Sequence, residues 1–306
     1  MKRRQFISKL VYGSAGIGLT GWLPAAHQRH LQSADPFSLN YAPHFGLFDS
    51  MAGSDLTDQL RFIADQGFRS LEDNTMRSRP VSEQKKIARE MQRLELQMGV
   101  FVAHTIGWDT PNLTSGDGVK HQQFLKEIES SVELAKRVNA TWMTVVPGRR
   151  DRRLAFEYQT ANVIEILKRA SAILEPHRLV MVLEPLNTLH DHPGQFLTEI
   201  PQAYEICKAV DSPSCKILFD IYHQQITEGN LTPNIDYAWD EIAYFQVGDH
   251  PGRNEPTTGE INYPFIFQHL MDKGYDGIIG MEHGVSGQGV DGEEALIEAY
   301  RFCDPQ

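Results

Sequence analysis

Short apolar segments alternate with longer amphipathic segments along most of this 306-residue chain. The apolar segments have the length of buried strands and lie at residues 38–41, 68–71, 98–103, 142–146, 179–183, 217–219, 242–247 and 277–281. The amphipathic segments show the apolar spacing of helices and lie at residues 56–66, 82–94, 118–138, 154–174, 196–210, 265–273 and 293–302. This rhythm predicts parallel strands joined by right-handed helical crossovers.

Eight strand–helix units over residues 38–306 have the size and order of a (β/α)8 barrel. We therefore predict one α/β domain, a single TIM barrel, over this range, with no internal linker and no second domain. The alternative is an open, doubly wound sheet. The dinucleotide-binding form of that sheet carries a Gly-x-Gly-x-x-Gly turn after its first strand, and the sequence has no such turn there.

Residues 1–26 are predicted to be an export signal rather than part of the fold. They combine the basic run Lys2-Arg3-Arg4 with a short apolar segment, 10–23, and small residues at 24–26, which are the three parts of a secretory signal. The paired arginines resemble a twin-arginine signal. This predicts the twin-arginine translocase as a transient partner, a periplasmic or otherwise exported protein, and a linker at residues 27–37. The alternative is a cytosolic protein with a basic, partly apolar start.

Charge and composition exclude several other classes of protein. The apolar segment of the leader is too short for a stable membrane span, and no other segment qualifies. The chain has 29 basic against 40 acidic residues, and the balance beyond residue 26 is −15. An acidic surface repels phosphate backbones, so nucleic acid is not predicted as a partner. The three cysteines (Cys207, Cys215, Cys303) form neither a disulfide framework nor a zinc pattern. No surface feature selects an oligomer, and a homo-oligomer stays open.

Polar side chains follow four consecutive predicted strands. Glu184, Asp220, Gln246 and Glu282 lie at intervals of 36, 26 and 36 residues, each near one strand–helix repeat. The carboxyl ends of barrel strands meet at one mouth, where TIM barrels place their chemistry. Three converging carboxylates repel one another, and a bound cation relieves that repulsion. Oxygen ligands suit Mg²⁺ or Mn²⁺, so we predict a divalent metal site. Any one of these acids taken singly is equally typical of a salt bridge.

Four further polar residues are predicted to bind substrate at the same rim. Glu72 ends the second strand, His104 ends the third, and His223 lies three residues after Asp220. Arg253 lies in a turn-rich loop after the seventh strand and has the geometry to grip a carboxylate through two hydrogen bonds. The alternatives are structural histidines, and a loop salt bridge of Arg253 with Glu255 or Glu260.

Three segments resemble the hydroxypyruvate isomerase family of the xylose-isomerase-like barrels. They are Glu184-Pro185-Leu186-Asn187, the run 220–225 (DIYHQQ), and the long block 246–263. The resemblance covers residues 38–303. It implies Glu184, Asp220, Gln246 and Glu282 as metal ligands, Glu184 and Glu282 also as the catalytic acid–base pair, and His223 as a group near the substrate oxygen. The loops at 73–80, 188–192 and 283–285 depart from the family pattern, and these loops shape the substrate pocket.

The constellation predicts an aldose–ketose isomerase that works through an enediolate on a small sugar or keto acid. A divalent cation polarises the carbonyl as a Lewis acid, and one carboxylate removes the proton from the adjacent carbon. Hydroxypyruvate to tartronate semialdehyde is the leading reaction. Three alternatives stay open: a sugar 3-epimerase or another keto-sugar enzyme, a non-catalytic periplasmic sugar-binding barrel, and a metal-dependent abasic-site endonuclease. The endonuclease needs more ligating histidines and a basic face.

Overall fold

The computed structural model describes residues 34–306. The predicted signal, 1–26, and residues 27–33 of the predicted linker lie outside the described residues. Eight strands run along the described part of the chain: β1 Asn40–Ala42, β2 Ser70–Leu71, β3 Gln97–Met98, β4 Trp142–Val145, β5 Val180–Leu183, β6 Cys215–Asp220, β7 Ile242–Val247 and β8 Ile278–Met281. The helices between them are α1 Asp49–Ala52, α2 Leu56–Asp65, α3 Val81–Arg93, α4 Gly118–Val138, α5 Phe156–Leu174, α6 Ile200–Val210, α7 Ile221–Thr227, α8 Leu231–Ala238, α9 Tyr263–Asp272 and α10 Gly289–Cys303.

The strands are parallel and close into a barrel. Six of them pair in the order β1-β8-β7-β6-β5-β4, and β2 pairs with β3. Single bridges join the two sheets, His44 with Glu72 between β1 and β2, and Val102 with Thr144 between the end of β3 and β4. The fold is therefore a single (β/α)8 TIM barrel, as predicted. Two antiparallel bridges lie in loops of the described residues, Arg149 with Gln195 and Asp249 with Asn254.

The core has two parts. A large cluster lies between strands and helices and includes Phe37, Tyr41 and Tyr300, each at most 2% exposed. A smaller cluster of buried residues comes from several strands of the barrel and from the segment after β3. It contains Ala42, Val100, Val182, Leu218, Tyr244 and Ile278. Such layers of inward-pointing side chains fill a TIM barrel. Phe37, at the end of the predicted linker, thus belongs to the packed domain.

Several elements differ from the sequence prediction. The apolar run 98–103 forms a ladder only at Gln97–Met98, although Val102 adds a bridge. The helix predicted at 196–210 begins at Ile200, because residues 194–196 pair with the loop that follows β4. The sequence reading assigned no helix after β6, where α7 and α8 lie. Asp220 begins α7 by accepting hydrogen bonds from the backbone N–H groups of Tyr222 and His223, which is the usual role of an N-cap aspartate.

Within residues 34–306, no helix is both long enough and apolar enough to cross a membrane.

Candidate active site

The four strand-end residues predicted from the sequence lie together at one end of the barrel. Glu184 directly follows β5, Asp220 ends β6, Gln246 lies in β7, and Glu282 directly follows β8. The register makes Asp220 the partner of Gln246, and Gln246 the partner of Gly280. Asp220 and Gln246 therefore lie at the same height, and Glu282 lies two residues beyond the partner of Gln246.

Glu184, Asp220 and His223 form a buried group whose nearest ligand atoms all lie within 4.8 Å of one another. Burial raises the pKa of Glu184 well above its usual value, and the negative charges of Glu282 and Asp220 add to this effect. Burial also raises the pKa of Asp220, against the opposing effect of Arg253. Packing carboxylates this closely costs free energy unless positive charge accompanies them. The group is a candidate metal site.

Arg253 supplies one positive charge at the centre of this site. Its Nη2 donates hydrogen bonds to Glu282 Oε2 at 2.8 Å and to Asp220 Oδ2 at 3.3 Å. Burial opposes the charge, but Glu282 and Asp220 outweigh burial and raise the pKa of the guanidinium. The guanidinium also lies over the ring of Tyr222, 4.8 Å from its centroid. Arg253 thus faces the predicted site rather than pairing with Glu255, which accepts hydrogen bonds from Ser286.

Glu282 combines two opposing influences. Its Oε1 accepts a hydrogen bond from Asn74 Nδ2 at 2.8 Å, while Arg253 binds Oε2. Burial raises the pKa of Glu282, Arg253 lowers it, and the charge of Asp220 raises it. The resulting pKa is about 7. A carboxyl group with a pKa near neutrality exchanges protons readily at the operating pH, which is what an acid–base catalyst requires.

Gln246 has the clearest signature of a metal ligand. Its Nε2 donates to Glu72 Oε1 at 2.7 Å, and Glu72 Oε2 accepts a hydrogen bond from Tyr244 at 2.9 Å. The amide is therefore oriented, and its Oε1 is buried without a hydrogen-bond partner among residues 34–306. Buried polar atoms are rarely left unpaired, and a divalent cation accepts this type of oxygen. The residues present fit a metal.

Glu72 lies inside the barrel, against Gln246 and Tyr244, where it is 2% exposed. Burial raises its pKa well above the usual value, and the charge of Glu282 adds to the effect. A Cβ built at Gly280 would overlap Glu72 Oε2, so glycine at this position makes room for the carboxyl group. Glu72 thus contacts Gln246 and orients its amide. It does not face the opening of the barrel, where the sequence predicted a substrate-binding residue.

The proton position on His223 follows from Asn187. Asn187 Nδ2 donates to His223 Nδ1 at 2.7 Å and to Asp191 Oδ2 at 2.6 Å, while Asn187 Oδ1 accepts from two backbone N–H groups. Burial lowers the pKa of His223 well below its usual value, and the charge of Arg253 lowers it further. A neutral ring that accepts at Nδ1 carries its proton on Nε2. Nε2 faces Asp220 Oδ2 and Glu184 Oε1, at 3.6 and 3.8 Å, and Arg253 Nη2, at 3.2 Å, so the ring touches both the carboxylates and the guanidinium of the site.

Replacing Asn187 by alanine is expected to lower kcat by about 10- to 100-fold, as partners of site residues commonly do. The ring of His223 loses the contact that keeps Nδ1 unprotonated, so the donor at Nε2 is no longer fixed. Affinity for Mn²⁺ should change little, because Asn187 touches neither Glu184 nor Gln246 in its hydrogen bonds. Steady-state kinetics and Mn²⁺ titration of the same protein check both parts. Unchanged kcat would contradict the positioning role.

His104 lies in the wall rather than among the carboxylates. Its Nδ1 contacts the carbonyl oxygen of Thr105 at 3.1 Å, and its Nε2 accepts from the backbone N–H of Val146 at 3.3 Å. Burial lowers its pKa to about 4, so the ring is neutral. His104 also lines a cavity of about 400 Å³ with Asn74 and Trp108.

The sequence assigned no role to Asn74, Asn187 or His192, whereas Trp108 was a candidate for the wall of the pocket. The rings of Trp108 and His192 stack with centroids 4.8 Å apart, and the ring of His192 lies 5.3 Å from that of His223. Asn187 could have been recognised from the sequence, since it is the last residue of the Glu-Pro-Leu-Asn segment that resembles the family. Asn74 could not, because only the loop conformation brings it to Glu282 across 208 residues of sequence.

Fold and site together define a TIM barrel with a buried carboxylate centre at the carboxyl ends of its strands. Residues 60–306 match the family described as xylose isomerase-like TIM barrel, and the chain belongs to this family. A crystal structure of a family 2 AP endonuclease from Brucella melitensis superposes with a TM-score of 0.74 at 25% identity, covering 83% of this chain and 96% of that one.

Within the superfamily, the chain belongs to the hydroxypyruvate isomerase family. A Danio rerio protein named "Putative hydroxypyruvate isomerase" is 32% identical over 254 residues, which are 79% of this chain and 89% of that protein. A Homo sapiens protein of the same name is 36% identical over 174 residues, 55% of this chain and 63% of its own length. A 2-oxo-tetronate isomerase from Cupriavidus necator is 37% identical over 123 residues, 40% of this chain and 47% of its own length. These names indicate an isomerase.

Proposed function

We propose that this protein is a divalent-metal-dependent isomerase of small hydroxy keto acids, with hydroxypyruvate to tartronate semialdehyde as the leading reaction. The observation that carries the proposal is the arrangement of two carboxyl groups with raised pKa values, the buried Glu184 and the partly buried Glu282, around the partly buried Arg253. The names of the relatives support a keto acid as the class of substrate.

Glu184, Asp220, Gln246 and Glu282 are the residues that would hold the metal, for which we propose Mg²⁺ or Mn²⁺. The donor set contains only oxygen, the element that these ions prefer. When bound, such an ion supplies Lewis-acid polarisation of a carbonyl group and offsets negative charge on the adjacent oxygens. The unpaired Oε1 of Gln246 and the close carboxylates of Glu184 and Asp220 support this assignment.

The acid–base work falls to Glu184 and Glu282. One carboxylate removes a proton from C3 of hydroxypyruvate, and the electron pair of the broken C–H bond forms the enediolate double bond. A proton is then delivered to C2, and the hydroxyl proton moves from O3 to O2, so the product is an isomer of the substrate. His223 donates from Nε2 to the oxygen on which charge develops, an interaction that strengthens in the transition state.

Arg253 supports an anionic substrate. Its guanidinium is held by Glu282 and Asp220 at the site, and its charge is retained there. A planar guanidinium binds a carboxylate through two parallel hydrogen bonds. This favours a 2-oxo acid over a neutral ketose, which has no group to match the charge.

Proton NMR in D₂O tests the proposal. Hydroxypyruvate is incubated with the chain from residue 27 onward, with Mn²⁺ or Mg²⁺ and again with EDTA. Metal-dependent deuterium incorporation and formation of tartronate semialdehyde are expected. Incorporation of deuterium into ketoses, without incorporation into hydroxypyruvate, would indicate a sugar 3-epimerase instead of a keto-acid isomerase. Absence of exchange on hydroxypyruvate, on 2-oxo-tetronate and on a ketose panel would overturn isomerase activity and favour a sugar-binding barrel.

Affinity for Mn²⁺ is expected to rise with pH between about 6 and 8. Below pH 7 a proton occupies Glu282, whose pKa is about 7, and the metal must displace that proton. Release of the proton from Glu282 alone makes the affinity rise about tenfold per pH unit until this carboxyl group is ionised, and release of a proton from Glu184, whose pKa is also raised, steepens the rise. Titrations of Mn²⁺ at pH 6, 7 and 8 measure the slope. The Glu282→Gln variant should show a shallower slope, and a pH-independent affinity of the unmodified protein would contradict the assignment.

We also propose export through the twin-arginine pathway. The support is the sequence of residues 1–26, with Arg3 and Arg4 ahead of an apolar run. Folded proteins use this route, so a metal can be loaded before export. Fractionation of cells that express the full chain would test the compartment.

A further inference from the structure

A cavity of about 560 Å³ lies beside the site, between the loop that follows β4 and the loop that follows β5. The β4 loop contributes Arg149, Arg150 and Arg152, and the β5 loop contributes Thr188 and Thr198. This volume falls in the range of small-ligand pockets. None of these residues takes part in the reaction proposed above.

The three arginines of this cavity bring uncompensated positive charge together. Among residues 34–306, only Arg153 of this run forms a salt bridge, with Asp151 at 3.2 Å. The other three have no carboxylate partner in the described part of the chain. Like charges that line one cavity repel each other, and an anion between them relieves this repulsion. Such a cluster is unusual in a chain with a net charge of −11.

Neutral groups hold two of the guanidinium groups in place. Arg149 Nη1 donates to the carbonyl oxygen of Pro193 at 3.2 Å, and a Cβ built at Gly194 would lie only 3.0 Å from Arg149 Cζ. Gly194 also has a φ of +85°, a backbone conformation that favours glycine. Arg150 lies over the ring of Phe156, 5.6 Å from its centroid. These contacts position Arg149 and Arg150, and neither guanidinium has a carboxylate partner within residues 34–306.

We propose that this cavity binds a small oxyanion, a phosphate or a carboxylate group. Arginine forks match the geometry of both groups through paired hydrogen bonds, and the hydroxyls of Thr188 and Thr198 add neutral donors. Helix α5 begins at Phe156 in the cavity wall without a side-chain cap. The partial positive charge of its first turn acts in the same direction.

The cavity and the catalytic centre share the loop that follows β5. That loop carries Glu184 and Asn187 at its start and the cavity wall at 194–198. Backbone hydrogen bonds from Arg150 to Gly194 and from Phe196 to Gly148 tie it to the β4 loop. The oxyanion that binds in this cavity has two conceivable sources. It is either the distal anionic group of a longer substrate or a separate anion. Neither depends on the identity of the reaction.

Inorganic phosphate is the probe, and its binding to EDTA-treated protein is measured by calorimetry. The Arg150→Gln, Arg152→Gln double variant is expected to bind phosphate at least about tenfold more weakly, since charge-assisted hydrogen bonds each contribute this much or more. Arg153→Gln is the matched control, because it removes a neighbouring charge that is already paired. The control should change the affinity less than twofold. Both variants alter exposed side chains, and circular dichroism verifies their folding.

Absence of phosphate binding at millimolar concentration, or equal loss in the Arg153→Gln control, would overturn the proposal. Turnover assays then separate the two sources. Phosphate that competes with the keto acid indicates that the cavity receives part of the substrate, and phosphate that changes kcat without competing indicates a separate anion. The calorimetric result stands whether or not hydroxypyruvate is turned over, so failure of the isomerase assignment is distinguishable.

Discussion

Replacing Glu184 by glutamine is expected to lower kcat by about 10²- to 10⁴-fold, the range that acid–base groups contribute. The amide keeps the shape of the side chain but removes the proton acceptor. Stability of the metal-free protein should not fall, because burial already disfavours the charge of Glu184. Turnover at saturating Mn²⁺ and the thermal midpoint of the metal-free protein are the two measurements. Loss of activity with a retained midpoint is the expected pattern.

Glu133→Gln provides the matched control for this substitution. Glu133 is 66% exposed and pairs with Lys136 on the surface of α4, so the same chemical change there should alter kcat less than twofold. Glu282→Gln is expected to lose activity like Glu184→Gln, since both members of the pair are needed. Turnover of Glu184→Gln within tenfold of the unmodified enzyme would remove this residue from the acid–base pair.

Replacing Asp220 by asparagine is expected to weaken Mn²⁺ binding by at least about 100-fold, more than substitutions behind a ligand usually cost. The change removes a full negative charge from the group of Glu184, Asp220 and His223. The fold should persist, because the remaining side-chain oxygen still accepts from the N–H groups of Tyr222 and His223, and asparagine caps helices as well as aspartate does. Electron paramagnetic resonance of free Mn²⁺ measures the affinity.

Asp55→Asn separates the metal role from the capping role. Asp55 caps α2 through the N–H groups of Thr57 and Asp58 and lies on the surface. Its substitution repeats the loss of a capping charge without touching the site, so Mn²⁺ affinity should be unchanged. Equal affinities of Asp220→Asn and the unmodified protein would exclude Asp220 as a ligand. The Asp220→Asn variant should lose turnover at low Mn²⁺ in proportion to its loss of bound metal. Partial recovery of turnover at high Mn²⁺ would show that the defect lies in metal binding.

Much of the fold followed from the sequence because its signals are local. Helices α4 and α5 were placed within two residues, since their apolar spacing extends over many turns. The prediction made strand β3 too long, because an apolar run such as 98–103 indicates burial and does not indicate hydrogen-bonded strand pairing. Helices α7 and α8 were missed, since each is only two turns long. Short helices are stabilised by tertiary packing more than by their own propensity.

The sequence by itself determined the barrel and the meeting of Glu184, Asp220, Gln246 and Glu282. In a closed parallel sheet every strand ends at the same mouth, so order along the chain is enough to place these residues. Only the tertiary structure decided what the polar side chains contact. Glu72 orients Gln246 across 174 residues, and the backbone of the β7 loop turns Arg253 toward Glu282 and Asp220. Loop conformation and contacts between distant segments set these pairings, and neither leaves a periodic pattern in the sequence.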